Sequence, residues 1–140
     1  MPTAVETVDR CPLFATFSPK ERKRVADDLR ERRYAAGEAM TSEDQGGVGF
    51  FLIAEGTATL TIAGLAQTKQ LGPGDSFGEM ALITGQMRSA GITADTEVQC
   101  WVLSQWHFKP LVLEHPQLAW TFIEILAHRV RETQLRDPGA

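Results

Sequence analysis

Apolar and polar positions alternate most cleanly along Thr57 to Ile62, where Ala58, Leu60 and Ile62 interleave with Thr57, Thr59 and Thr61. A period of two turns one face to a core and the other to water, which predicts a half-buried strand. Gly49 to Ala54 precedes it across Glu55-Gly56, a tight-turn dipeptide, so the two segments are expected to form a hairpin. Further strands are predicted near Gln67 to Leu71, ending at Gly72-Pro73-Gly74-Asp75, at Ala90 to Ala94, and at Val98 to Leu103, where Val98, Cys100 and Val102 share a face. Glycines at 37, 46, 47, 49, 56, 64, 72, 74, 78, 85 and 91 keep these segments short, as in a strand-rich barrel or sandwich.

Helical patterns flank this region. Ser18-Pro19-Lys20-Glu21 joins an N-cap serine, a proline at the first helical position and a glutamate able to close a capping box, which predicts a helix from Pro19 to Leu29. Ser104 is an N-cap for a second helix through Gln105 to Leu113, in which Pro110 removes a hydrogen bond to Trp106 and should bend the helix. Pro116 opens the last helix, reaching Gln134. Its apolar residues Leu118, Trp120, Phe122, Ile123, Ile125, Leu126 and Val130 cover a wider arc than one buried stripe needs, leaving Thr121, Glu124 and His128 as a polar edge. Either the helix lodges in its own domain, or its outer side meets a second copy across a two-fold axis.

Composition narrows the function classes. A chain of 140 residues holds one domain with a real core, here divided into a helical part at 9–30, strands over 31–104 and helices over 105–135. No apolar run reaches the roughly 20 residues of a membrane span, and the first residues lack the pattern of a secretion signal, so a cytoplasmic protein is expected. The net charge of -4 argues against general affinity for nucleic acid. Cys11 and Cys100, far apart and without metal-ligand neighbours, read as reduced core residues.

The segment Phe77 to Ala90 carries the chemistry. Physically it reads as a turn, a short helix and a second glycine turn that delivers Arg88 and Ser89 to the head of a strand. Gly78 allows close backbone approach, and the amides of Glu79, Met80 and Ala81 are the unpaired donors of a helix N-terminus, which invites an anion. Arg88 supplies a planar fork suited to phosphate oxygens, with the Ser89 hydroxyl and the amides of Ser89 and Ala90 donating from the other side. Glu79 would repel an anion and must aim elsewhere, for which a ribose 2′-hydroxyl is the natural donor. Phosphate and Glu79 together bring two negative charges against Arg88 alone, so the site needs another cation. Taken singly, these residues also have plain readings as dipole partner, surface charge and turn glycines.

The full stretch, Phe77-Gly78-Glu79-Met80-Ala81-Leu82 through Arg88-Ser89-Ala90, resembles the phosphate-binding cassette of the cyclic-nucleotide-binding domain family, found in bacterial catabolite activators and in regulatory subunits of cAMP-dependent protein kinase. The resemblance extends to Tyr34-Ala35-Ala36-Gly37-Glu38, Phe50-Phe51-Leu52-Ile53 ahead of Glu55-Gly56, Gly72-Pro73-Gly74-Asp75 and His115-Pro116. It implies a mainly β fold with flanking helices: a β-roll or jelly-roll barrel with N-terminal helices, a short cassette helix and a long C-terminal helix. It implies backbone contacts to ligand from Gly78 and Ala81, a ribose contact from Glu79 and phosphate contacts from Arg88 and Ser89, with Phe77, Met80, Leu82 and Ala90 completing the wall. Aligned on His115-Pro116, Arg129 falls where the activators place an arginine beside the ribose glutamate, and Thr133 where they place a base-contacting threonine.

The function that follows is a cytoplasmic sensor that binds cAMP, or alternatively cGMP, and passes the event on through its last helix to an effector protein. No metal, no direct nucleic-acid contact and no membrane are expected, and a homodimer through the C-terminal helix is. Ser89 decides nothing about the base, whereas Thr133 favours the exocyclic amine of adenine. Activator-type relatives continue into a helix-turn-helix domain and this chain ends at Ala140, so either a partner reads the helix or the chain is a piece of a longer one. Rival readings are a nonbinding module of the same fold, opposed by the complete Gly78, Glu79, Arg88 and Ser89 set, and a cupin-like metalloenzyme, opposed by the lack of any histidine before His107. Neither a nucleophile with a recognisable base nor paired histidines argue for catalysis.

Overall fold

The computed structural model describes residues 1–40, 49–62, 68–78, 83 and 90–136, with the backbone alone for 62, 90, 125, 129 and 132–136. Helix α1 (Ala4–Arg10) starts earlier than the sequence reading placed any helix, on a Thr3 cap whose hydroxyl oxygen accepts from the Glu6 amide. A 3-10 turn (Pro12–Phe14) leads to α2 (Pro19–Asp27). The expected capping box is present there: Ser18 Oγ accepts from the Glu21 amide at 3.2 Å, and Glu21 Oε1 accepts from the Ser18 amide at 2.9 Å. That amide, more than any other neighbour, holds the Glu21 carboxyl below the usual carboxylate range. The cap is therefore complete above that range and weakens only as pH falls through the lowered value.

Among the described residues seven strands follow in two antiparallel sheets: β1 (Arg30–Tyr34), β2 (Gly49–Glu55), β3 (Ala58–Ile62), β4 (Thr68–Leu71), β5 (Ser76–Phe77), β6 (Ala90–Ala94) and β7 (Val98–Ser104). The first sheet has the order β1-β7-β2-β5 and the second β4-β3-β6. No strand pairing among the described residues closes them into a barrel. Glu38 to Met40 lie along β6, with Met40 N donating to Ile92 O at 2.7 Å and Ala94 N to Glu38 O at 2.9 Å, so the chain leaving β1 moves onto the second sheet.

The expected hairpin between β2 and β3 does not form. β2 pairs with β7 and β5, whereas β3 pairs with β4 and β6. The register of β2 shifts between Ile53 and Glu55, and Gly56, at φ +92°, carries the chain from one sheet to the other. A Cβ at Gly56 would lie 2.2 Å from the Glu97 carbonyl oxygen, so the turn dipeptide serves a tight crossing between sheets rather than a reversal.

The central strands of the first sheet, β2 and β7, are buried on both faces, whereas β1 is exposed but for Tyr34. Phe50, Leu52 and Leu103 join Val8, Phe14, Val25, Leu111, Leu118 and Phe122 in a core under the helices. Phe51, Ile53, Val98 and Cys100 join Ala58, Leu71, Phe77, Ile92 and Ala94 in a second core between the sheets. Ala58 and Leu60 of β3 face this core as expected, with the Ile62 side chain outside the described residues, and the shared face of Val98, Cys100 and Val102 holds. Helix α3 (Gln105–Glu114) runs through Pro110 without ending, and α4 (Pro116–Arg136) follows after the elbow at His115. Ser104 caps α3 by backbone shape only, its hydroxyl lying 2.9 Å from His107 Nδ1. None of the described helices is long and apolar enough to cross a membrane.

Both cysteines are free and buried, as expected. Burial pushes the Cys11 thiol up, and the Cys100 thiol up to about 12. The thiolate is the reactive form, so the native chain at pH 8 should give no rapid reaction with an aromatic disulfide reagent, and both thiols should react in denaturant. Fast release from the native protein would contradict the packing.

Candidate ligand site at the junction of the two sheets

The approach to the site is a rigid turn. Asp75 Oδ2 accepts from the Gly72 amide at 2.8 Å, the Asp75 amide returns a bond to Gly72 O at 3.0 Å, and Gly74 adopts φ +90°. Gly74 N donates to Ile53 O and Ile53 N to Asp75 O, each at 3.0 Å, which ties the turn to β2. Strand β5 then runs beside β2 with Phe77 opposite Phe51, and the two rings stack at 4.8 Å with 8° between their planes.

At Gly78 the backbone takes φ +101°, where side-chain-bearing residues are strained. A Cβ there would sit 2.2 Å from the Gly49 carbonyl oxygen. A Cβ on Gly49 in turn would meet Val102 Cγ1 at 2.8 Å. Two glycine backbones thus cross at the start of β2, and residues 79–89 leave from this crossing. They rejoin the described structure at Ala90, whose partner on β3 is Ile62. The segment spans from β5, at the edge of the first sheet, to β6, at the edge of the second.

The predicted site residues divide accordingly. Phe77 is 4% exposed, so its side chain belongs to the core between the sheets, and Gly78 is buried at the crossing. Glu79, Met80, Ala81, Leu82, Arg88 and Ser89 lie outside the described residues, as does the side chain of Ala90. Arg129 and Thr133 fall within α4, with their side chains outside the description. Among the described residues, no group of three His, Cys, Asp or Glu side chains is placed to hold a metal ion.

Two contributors escaped the sequence reading. Gly49 was read only as the start of a strand, although its carbonyl oxygen is the atom that Gly78 passes and a Cβ on it would press on Val102 of β7. Cys11 was read as generic core, yet its thiol lies beside Ser76 and Asp75, next to the strand feeding the crossing. Neither contact has a local signal, because both join segments far apart in the chain.

The family model for the cyclic nucleotide-binding domain matches residues 31–115. A cAMP-dependent protein kinase regulatory subunit from Emericella nidulans is 34% identical over 106 residues, covering 75% of this chain and 26% of that protein. The chain therefore spans about a quarter of the length of this relative. Among solved structures, the Thermus thermophilus catabolite activator protein matches with a TM-score of 0.80 and 30% identity over 89% of this chain and 61% of that one. The regulatory domain of Toxoplasma gondii PKA with cAMP matches with a TM-score of 0.72 and 25% identity over 92% of this chain and 49% of that one.

The crossing itself can be tested. Gly78→Ala forces a strained φ at a cost on the order of 1–3 kcal/mol, to which the overlap with Gly49 adds. Thermal unfolding should show a clearly lower midpoint, and an unchanged midpoint would mean that the two backbones do not meet.

Proposed function

Because the chain belongs to the cyclic nucleotide-binding domain family, we propose that this regulatory binding domain senses cAMP and signals through the position of α4. The observation that supports the reading is the Gly49–Gly78 crossing, which fixes the point after which the sequence carries the family's cassette pattern. A chain this similar to a protein solved with cAMP supports the choice of ligand. In this reading the amides after Gly78 and the Arg88 guanidinium hold the cyclic phosphate, a monoanion, and the Ser89 hydroxyl donates to it. Glu79 accepts from the ribose 2′-hydroxyl, Arg129 offsets its charge, and Thr133 accepts from the adenine amine. Coupling to α4 then requires only that the nucleotide bind one helix position more tightly than another. Two buried free thiols fit a reducing compartment such as the cytoplasm.

Calorimetric titration with cAMP should give saturable heat with one site per chain. Arg88→Ala should weaken binding at least ~30-fold, since removing one partner of a buried, hydrogen-bonded charge pair costs about 2 kcal/mol or more. Absence of saturable heat sinks the reading, and tighter competition by cGMP overturns the choice of base.

The outer face of α4 is read as the contact with a second copy. Trp120, Ile123 and Val130 are 62%, 53% and 57% exposed, and with Ala127 they repeat at the alternating three and four spacing of a helix–helix seam. A two-fold axis along such a seam would cover both copies, leaving the effector, a protein of unidentified kind, to read their arrangement. Ile123→Asp should convert a dimer to a monomer in light scattering without unfolding the chain. A wild-type mass of one chain at high concentration would refute the seam.

A further inference from the structure

One face of α2 carries a polar clasp on the elbow between α3 and α4. Glu21 and Arg24 stand one turn apart. Arg24 grips Glu114 with two prongs, Nη2 to Oε2 at 2.8 Å and Nε to Oε1 at 3.3 Å, while its Nη1 holds Asp28, the C-cap residue of α2, at 2.9 Å. Glu21 Oε2 accepts from Gln117 Nε2 and lies 3.7 Å from His115 Nδ1. Glu114, His115 and Gln117 bracket the point where the helical path breaks: His115 has φ -130° and ψ 80°, its amide closes α3 on Leu111 O, and its carbonyl accepts from Leu118 N. Beneath the clasp, Val25 and Ala26 of α2 share a core with Leu111, Leu118 and Phe122.

The two layers differ in kind. The apolar layer is non-directional and tolerates a change of angle between the helices. The clasp depends on the orientation of two forked groups, and half-exposed ion pairs of this sort are individually weak. A connection that is specific in geometry yet weak in energy is suited to being made and broken by binding energy.

We propose that Glu21 and Arg24 form a latch that sets the angle of α4 by holding the elbow Glu114–Gln117 to α2. The part of the proposal that concerns nucleotide affinity rests on the reading of α4 as the output element. The latch makes α2 a regulatory lever: whatever draws α2 from the elbow, a binding partner on α2 included, releases α4. Through linkage, breaking the latch must alter nucleotide affinity to the extent that the ligand prefers one position of α4.

The test uses Glu114→Arg, which sets two guanidinium groups against each other, and the swap Arg24→Glu with Glu114→Arg. Amide exchange of peptides across residues 111–122 should speed at least tenfold in E114R, with β2 and β7 unchanged, and the swap should recover most of the protection. Exchange equal to wild type in E114R, or no recovery in a folded swap, overturns the latch. The cAMP dissociation constant should shift threefold or more in E114R and return in the swap, its sign reporting which position of α4 the ligand prefers. An unshifted constant overturns the coupling. Wild-type protein that binds no nucleotide defeats the reading of the ligand and leaves the exchange result to judge the latch alone.

Discussion

The close passage of Gly78 over Gly49 is the constraint on which the rest depends. The absence of a side chain at 78 lets β5 end directly against the first residue of β2, since a Cβ there would fall 2.2 Å from the Gly49 carbonyl oxygen. Once this crossing is made, the Phe51–Phe77 stack follows from the register, and the segment after Gly78 must depart from the edge of the first sheet. Its far end is fixed by pairing of Ala90 with Ile62 on the second sheet. The two ends that flank residues 79–89 are thus each held by a hydrogen-bonded ladder.

The first sheet gives this anchoring its rigidity. β2 sends Phe50 and Leu52 into the core under the helices, and Phe51 and Ile53 into the core between the sheets. A strand buried on both faces reads as a continuous apolar run rather than an alternation, and that is how Phe50-Phe51-Leu52-Ile53 reads. The helices and the roll therefore share one wall.

How much of this was legible follows from which signals are local. The alternation in β3, the Ser18 to Glu21 capping box, and the proline that opens α4 are written within a few residues, and each is present as read. The fold family was legible because its motif is a dense run of residue types. What failed was pairing. Glu55-Gly56 has the composition of a hairpin turn, yet β2 prefers β7 and β5, since its two-sided burial is possible only in the interior of the first sheet. Helix α1 went unread although Thr3 and Glu6 have capping-box spacing, because only seven residues follow the cap. Within the site, Phe77 and Gly78 take up defined positions, whereas the residues named for charge recognition lie outside the described structure.

Among its described side chains, helix α4 is held by few buried contacts. Leu118 and Phe122 are its fully buried side chains among those described, Phe122 meeting Phe50 and Phe108 edge-on at 5.6 and 5.2 Å. Burial of two such side chains contributes roughly 3 to 6 kcal/mol. Coupling between sites in proteins is typically about 1–3 kcal/mol, which is too small to extract these residues but large enough to tilt the helix about them. In the proposed reading Phe122 is a fulcrum rather than a switch, and the choice among positions of α4 falls to directional contacts at the elbow and on the outer face. A helix anchored more deeply would be stable but unresponsive, and one without the Phe122 contact would not hold any position long enough to be read.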